Sequence, residues 1–186
     1  MDMHMIGDMS TFGLGYTFYD DVHATEIALY LNGTNILGFT SEGKHLTTRW
    51  DLDELAEWMR EFIDNMQDEP YPVQASGEYA AAKDEAAREF DTDDEEEFDR
   101  YYDIIDEWVW RHTWHHASSG AILANVYFQQ IGERVEISWN NSSCEDGVSF
   151  DCVLGVGYVE KDSFLQIMNQ FLVEYATHWF SEALSE

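Results

Sequence analysis

The first fifty residues show the pattern of apolar positions that is typical of β-strands. Alternating or continuous apolar residues fill "FGLGYTFYDD" and "TEIALYLNGTNILGF", as expected for half-buried and buried strands. Asn32-Gly33 predicts a tight turn, because both residues tolerate the positive φ that a two-residue hairpin requires. We therefore expect strands from the N-terminus to about residue 50.

The period then changes to that of a helix. In "WDLDELAEWMREFIDNM" the apolar residues recur every three or four positions, which predicts an amphipathic helix. Asp51 and Glu54 fit an acidic form of the capping box at its start. The two prolines of "DEPYPVQASGEY" indicate a loop, and "AAAKDEAARE" a short helix. For the acidic and aromatic stretch that follows, we predict one long helix at about 95–116.

The last third of the chain returns to strands and ends in a helix. "ILANVYFQQ", "RVEISWN" and "VSFDCVLGVGY" have strand patterns separated by turn residues. A C-terminal helix is predicted at about 161–184, with an apolar stripe of Phe164, Ile167, Met168, Phe171, Tyr175 and His178. The fold class is therefore α+β, with three to four helices packed on one or more antiparallel sheets.

The length of 186 residues predicts a single domain, 1–186. An alternative is a division into two lobes, 1–66 and 95–186, joined by the acidic segment between them. No apolar run suggests a signal peptide or a bilayer span, so we expect a cytoplasmic protein of a bacterial host cell. Cys144 and Cys152 are then expected to be reduced. The oligomeric state stays open, and a homo-oligomer is compatible with the sequence.

The charge of the chain indicates more about its partners than any motif does. Nine basic residues face 38 acidic ones, for a formal net charge of −29. Apolar residues make up 45% of the chain and aromatic residues 15%, which excludes the low hydrophobicity of disordered acidic proteins. Residues 51–116 hold 22 of the acids and five of the basic residues. Nucleic acid and anionic membrane are therefore disfavoured as partners, and a cationic protein surface is favoured.

Helical geometry predicts how the long helix divides its residues. At about 100° per residue, Phe98, Tyr101, Ile105 and Trp108 share a face with His112 and His116, and most acids lie opposite. Trp110 and Trp114 fall in the acidic sector, and exposed Trp beside charge is typical of an interface hot spot. The candidate partner-binding residues are Asp91, Asp93, Asp94, Glu95, Glu96, Asp99, Asp103, Asp106, Glu107, Trp110 and Trp114.

Two simpler interpretations of the same helix stay open. The acids could form an ordinary solvated face, with Glu96–Arg100 and Glu107–Arg111 as i,i+4 pairs that each contribute only a few tenths of a kcal/mol. The two tryptophans could instead belong to a second buried surface that the short helix at about 79–90 covers.

Sites for catalysis or metal binding are not indicated. His112 and His116 could reach one ion by their i,i+4 spacing, but both lie on the predicted apolar face, and no second His or Cys cluster accompanies them. We expect them to be packed and unligated. There is no phosphate-binding glycine loop and no G-x-S-x-G motif. We therefore expect no catalytic residues, no metal and no cofactor.

Part of the chain resembles an uncharacterised bacterial domain. The residues that carry the resemblance are "WDLDELAEWM" and "WRHTWHHASSGAILANVYFQQIGERVEISW". They look similar to a domain whose members share W-x3-H, then V-x-F, then G-(D/E)-x-V-E-I-S-W spacing, and the resemblance covers about half of the chain. No activity is established for the domain, so the resemblance implies a bacterial or phage origin and no mechanism.

Together these features favour a binding inhibitor over an enzyme. The leading hypothesis is an acidic protein, encoded by a phage or mobile element, that imitates nucleic acid and blocks a positively charged groove. By function class, though not by sequence, it looks like an anti-CRISPR or anti-restriction protein. The first alternative is an immunity protein or antitoxin that neutralises a basic toxin. The second is a halophile-adapted protein whose acids serve solubility; the clustering of the acids and the high aromatic content disfavour it.

A protein with this charge is expected not to bind DNA or RNA at physiological salt, because phosphates and carboxylates repel each other. An electrophoretic mobility shift assay with micromolar protein and a mixed-sequence duplex checks this. A clear shift of the duplex would contradict the mimicry hypothesis.

Overall fold

The N-terminal part of the chain forms short antiparallel strands, as its apolar pattern predicts. A computed structural model describes residues 3–17, 24–65, 68–114, 120–143 and 147–183. The strands before the first helix are β1 (His4–Asp8), β2 (Phe12–Tyr16), β3 (Ala24–Leu31), β4 (Thr34–Asn35), β5 (Phe39–Ser41), β6 (Lys44–Leu46) and β7 (Thr48–Asp51). Asn32 and Gly33 join β3 to β4 with φ angles of 51° and 83°, which confirms the predicted turn.

The described helices lie where the change of period places them. They are α1 (Leu52–Asn65), α2 (Ala80–Ala87), α3 (Glu95–His112) and α4 (Lys161–Ala183). Asp51 accepts a hydrogen bond from the backbone N–H of Asp53 at 2.8 Å, so it caps α1, but not in the predicted capping box, in which Glu54 would bond back to the Asp51 N–H. Glu54 accepts from the indole of Trp50 at 3.0 Å. The helix start is thus tied to the strand that precedes it.

Three antiparallel sheets carry these helices. The later strands are β8 (Val126–Ile131), β9 (Arg134–Asn140), β10 (Val148–Phe150) and β11 (Leu154–Glu160). One sheet has the order β1-β2-β3-β4 with β7 also paired to β3, the second has the order β10-β5-β6, and the third β11-β9-β8. The apolar stretch "VSFDCVLGVGY" therefore contributes strands to two different sheets, β10 to the second and β11 to the third. The architecture is α+β with antiparallel sheets and four helices among the described residues.

The main core joins residues from both ends of the chain. Strands β1–β3, helices α1 and α4, and strands β8 and β9 all contribute buried side chains to one cluster. A smaller cluster lies between α2, α3 and β8, and includes Tyr71, Ile105, Trp108 and Tyr127. The stripe predicted for α4 is confirmed at Phe164, Ile167, Met168 and Phe171, which are buried. No described helix is both long enough and apolar enough to cross a bilayer.

The long helix ends earlier than the sequence predicts. α3 stops at His112, and Thr113 is extended with φ −131° and ψ 158°. Thr113 forms a bridge with Tyr127, so the chain turns inward. Trp114 is consequently fully buried, with an exposed fraction of 0%. Its assignment to the acidic surface was wrong, because the helical spacing that placed it there does not extend past His112.

Trp114 occupies the centre of an aromatic cluster. Its ring makes edge contacts with Trp50, Trp58 and Phe128 at centroid distances of 5.5, 5.6 and 5.1 Å. Its indole N–H donates to the Ala124 carbonyl at 2.9 Å. The indole of Trp58 donates to the Thr113 carbonyl at 2.9 Å. Both polar atoms are thereby satisfied inside the core, as buried indoles require.

Replacing Trp114 by Ala is expected to lower the free energy of unfolding by about 3–5 kcal/mol, because the change opens a cavity in the aromatic cluster. Trp110→Ala is the matched control. Trp110 is 60% exposed, and its loss should change stability by less than about 0.5 kcal/mol. Urea unfolding followed by far-ultraviolet circular dichroism measures both. Equal effects of the two substitutions would contradict the assigned positions.

Candidate functional site

Local interactions explain why α3 forms in so acidic a stretch. Asp94 has an extended backbone, and its side chain accepts from the N–H of Glu97 at 3.1 Å, which caps the helix. Glu95, Glu96 and Glu97 occupy the first turn, while Arg111 lies in the last. This order places charge of opposite sign at each end of the helix dipole. The acids at the start therefore stabilise the helix as well as charging its surface.

The outer side of α3 carries the predicted acids. Ile105, Trp108 and His112 point into the smaller core. The nine candidate acids are all exposed: Asp91, Asp93, Asp94, Glu95, Glu96, Asp99, Asp103, Asp106 and Glu107. By helical spacing, Glu96, Asp99, Asp103, Glu107 and Trp110 lie within one sector of the helix. We call these five residues the acidic face.

The acidic face is not neutralised by the arginines of its own helix. The predicted pairs Glu96–Arg100 and Glu107–Arg111 do not form. Arg111 instead donates to both carboxylate oxygens of Glu69, at 2.7 and 3.3 Å. A bidentate contact of this kind is stronger than a monodentate i,i+4 pair between flexible side chains. The four carboxylates of the acidic face make no ion pair with any residue that the structure describes.

Two of the predicted acids have structural roles. Asp94 caps α3, and Asp106 accepts from Arg88 Nη2 at 3.0 Å. The Tyr102 hydroxyl lies 3.0 Å from the carbonyl oxygens of Arg88 and Phe90, and Phe90 stacks on Tyr101 at 4.0 Å. These contacts hold α2 and α3 together as one hairpin.

The carboxylates of the acidic face are spaced at a distance of the same order as the phosphates of one DNA strand, but they lie farther apart. Glu96, Asp99, Asp103 and Glu107 span eleven positions, or about 16.5 Å at 1.5 Å per residue. That corresponds to one charge per about 5.5 Å, compared with one per about 3.4 Å along one strand of duplex DNA. The acids at 91–95 extend the charged surface beyond the helix start.

Polar residues of β9 anchor the N-terminus of α2. The N-cap residue Tyr79 provides no side-chain hydrogen bond. Glu136, which is 1% exposed, accepts from the N–H of Ala80 at 2.7 Å, and the Ser138 hydroxyl accepts from the N–H of Ala81 at 3.1 Å. A buried carboxylate at a helix N-terminus is stabilised by the free N–H groups and the helix dipole. The acid and hydroxyl of "VEISW" thus position the helix.

A second buried carboxylate, in the middle of α2, ties the helix to its surroundings. Asp84 accepts from the hydroxyls of Tyr71 and Tyr127, at 3.0 and 2.8 Å, and from Arg88 Nε at 3.0 Å. Burial, followed by the charge of Asp84, raises the pKa of both phenols above their ordinary value. Burial alone would lower the pKa of Arg88, but its bonds to Asp84 and Asp106 outweigh that effect and raise it. Arg88 therefore stays charged and links the interior to the surface.

A cavity of about 750 Å³ lies beside this network. Its wall is formed by α2, by Val109 of α3, by Tyr127 of β8, by residues of the segments 120–125 and 140–143, and by Val148 and Phe150 of β10. Sequence reasoning missed both the network and the cavity. The only available signals were a charged residue inside the apolar strand "VEISW" and an aspartate in the alanine-rich α2. Neither signal indicates which parts of the chain come together to form the network and the cavity.

His112 is packed, as the sequence predicts. Its ring stacks on Trp108 at 3.9 Å with 7° between the planes, and its Nδ1 lies 2.8 Å from the Trp108 carbonyl. Within the described residues no group of three or more His, Cys, Asp or Glu side chains could hold a metal ion. His116 and Cys144, named in the metal hypothesis and the thiol prediction, lie outside the described residues.

Comparison with known proteins finds no relative of this chain. No protein-family model, no curated protein and no solved structure matches the chain.

The pKa of His112 is expected to lie below its ordinary value of 6.5. Burial is the main cause, and the hydrogen bond to Trp108 and the charge of Glu69 oppose it only in part. Since the unfolded chain then binds the proton more tightly, stability is complete above about pH 6.5 and falls as the pH drops through the folded-state pKa. Nuclear magnetic resonance (NMR) titration of the ring gives the midpoint, and His112→Asn should reduce the stability loss between pH 7 and 5. A midpoint at or above 6.5 would contradict this.

Proposed function

We propose that the protein is an acidic binding inhibitor that occupies the cationic groove of a nucleic-acid-binding protein. The observation that carries the proposal is the acidic face: four carboxylates in a row on a helix, none of which forms an ion pair with a described residue. A CRISPR effector or a restriction enzyme has a groove of suitable charge. The expected site of action is the cytoplasm of a bacterial host cell. In this proposal the chain has no catalytic role.

Rigidity supports this function. The acidic face lies on a helix whose position is held by Arg88, Tyr102 and the buried cluster around Ile105 and Trp108. A groove that accepts it in place of duplex DNA meets a preformed row of charges and avoids the energetic cost of bending DNA. Preformed charge of opposite sign also accelerates association.

One observation favours an immunity protein or antitoxin as a second candidate. Trp110 is 60% exposed and lies within the acidic face. Phosphate mimicry has no need of an indole, whereas tryptophan is enriched among the residues that dominate protein–protein binding energy. A basic toxin with an apolar pocket inside its charged surface would use both features.

Replacing Glu96, Asp99, Asp103 and Glu107 together by Gln or Asn is expected to weaken partner binding by an order of magnitude or more. Association should become slower and less dependent on salt, because the loss is electrostatic. Asp106 is kept because it bonds to Arg88. The partner is first captured from a bacterial lysate at low and at high salt, and its affinity for each variant is then measured by surface plasmon resonance.

The matched control replaces Glu42, Glu57, Glu133 and Glu160 by Gln, which removes the same charge from exposed positions elsewhere. Equal losses in both variants would show a bulk charge effect and contradict the role of the acidic face. Competition distinguishes the two candidates. A captured partner that still binds duplex DNA in the presence of the inhibitor contradicts mimicry and leaves the toxin interpretation.

A further inference from the structure

The cavity beside α2 borders the acidic face through Arg88 and Asp106. Asp84 lines the cavity and bonds to Arg88, and Arg88 bonds in turn to Asp106 on the surface. Asp106 lies three residues after Asp103 and four before Trp110, so it neighbours the acidic face on the surface of α3. A partner that covers the acidic face together with Asp106 therefore lies next to the cavity.

The described residues of the cavity wall carry a net negative charge. Its lining includes Asp84, Glu85 and Arg88. Arg88 is neutralised by Asp84, and the exposed carboxylate of Glu85 makes no ion pair or hydrogen bond with any residue that the structure describes. Among the described lining residues, Glu85 thus leaves one uncompensated negative charge, which favours a cationic occupant.

The remaining lining suits a guanidinium group better than an ammonium group. The described lining also includes the aromatic residues Tyr127 and Phe150, the aliphatic residues Ile122 and Leu123, and the polar residues Ser142 and Ser143. Guanidinium is planar, more weakly hydrated than ammonium and able to lie against aromatic rings. The volume of about 750 Å³ lies within the range of about 300–1,000 Å³ of small-ligand sites.

We propose that this cavity receives an arginine side chain of the partner protein, anchored by Glu85 while the acidic face binds the surrounding basic surface. The inference rests on the proposed function for its partner. The cavity itself is tested separately with a small probe. Arginine is among the residues most enriched at interface hot spots, and a pocket at the end of a charged face would fix the register in which the partner binds.

The probe is N-acetyl-arginine amide, titrated into isotope-labelled protein and followed by backbone amide shifts in NMR spectra. Saturable shifts are expected around Ala81, Glu85, Ile122 and Leu123. N-acetyl-citrulline amide, which has nearly the same shape without the charge, should bind at least threefold more weakly. Shifts confined to the acidic face, or equal binding of the two probes, would overturn the proposal.

Glu85→Gln and Glu89→Gln form a matched pair. Both glutamates are exposed and close in sequence, but only Glu85 lines the cavity. Glu85→Gln should weaken probe binding at least threefold, and Glu89→Gln should leave it unchanged. Ala121→Phe, which narrows the cavity, should abolish the shifts where circular dichroism shows it folded. Equal probe binding by the two glutamine variants contradicts the inference, whether or not Ala121→Phe folds.

The same pair separates this inference from the proposed function. Partner binding that depends on the acidic face but responds equally to Glu85→Gln and Glu89→Gln refutes only the arginine anchor. Partner binding that is indifferent to the acidic face refutes the proposed function and with it the assignment of the anchor to that partner, even where the probe still occupies the cavity.

Discussion

The burial of Trp114 is the constraint on which the rest of the structure depends. Its ring contacts Trp50 at the end of β7, Trp58 in α1 and Phe128 in β8, so it joins elements that are distant in sequence. It lies two residues after the end of α3, and its position therefore determines where that helix leaves the core. The direction of the acidic face relative to the sheets follows from a residue that never reaches the surface.

Helix α2 shows a different solution to the problem of docking a helix. Its buried side chains are Ala80, Ala81, Asp84 and Ala87, which remove little apolar surface from water compared with leucine or phenylalanine. Two buried carboxylates, Glu136 and Asp84, supply the directional contacts that the alanines lack. Buried charge adds little net stability unless every polar partner is in place. The tethers therefore define the position of α2 more than they strengthen the fold.

Periodicity predicted most of the elements but few of the contacts between them. The strands, the four helices and the exposed acids of α3 follow from local patterns of two or about 3.6 residues. Trp114 was misplaced because no glycine or proline marks the end of α3, and the turn at Thr113 is decided by tertiary packing. Arg111 likewise bonds to Glu69, 42 residues away, in place of Glu107. The Asp84 network and the cavity depend on similar long-range pairings, which no local pattern contains.

Some carboxylates of this protein bond within the fold and others do not, and this difference affects how such a sequence can diverge. Asp84, Glu136, Asp94 and Asp106 each complete a contact of the fold, so a substitution at any of them disturbs the hairpin. Glu96, Asp99, Asp103 and Glu107 complete none among the described residues. Natural selection can therefore rearrange the outer charges quickly, one codon at a time, while the scaffold stays constant. If selection by a changing binding partner acts on the protein, substitutions are expected to accumulate on that one side of α3.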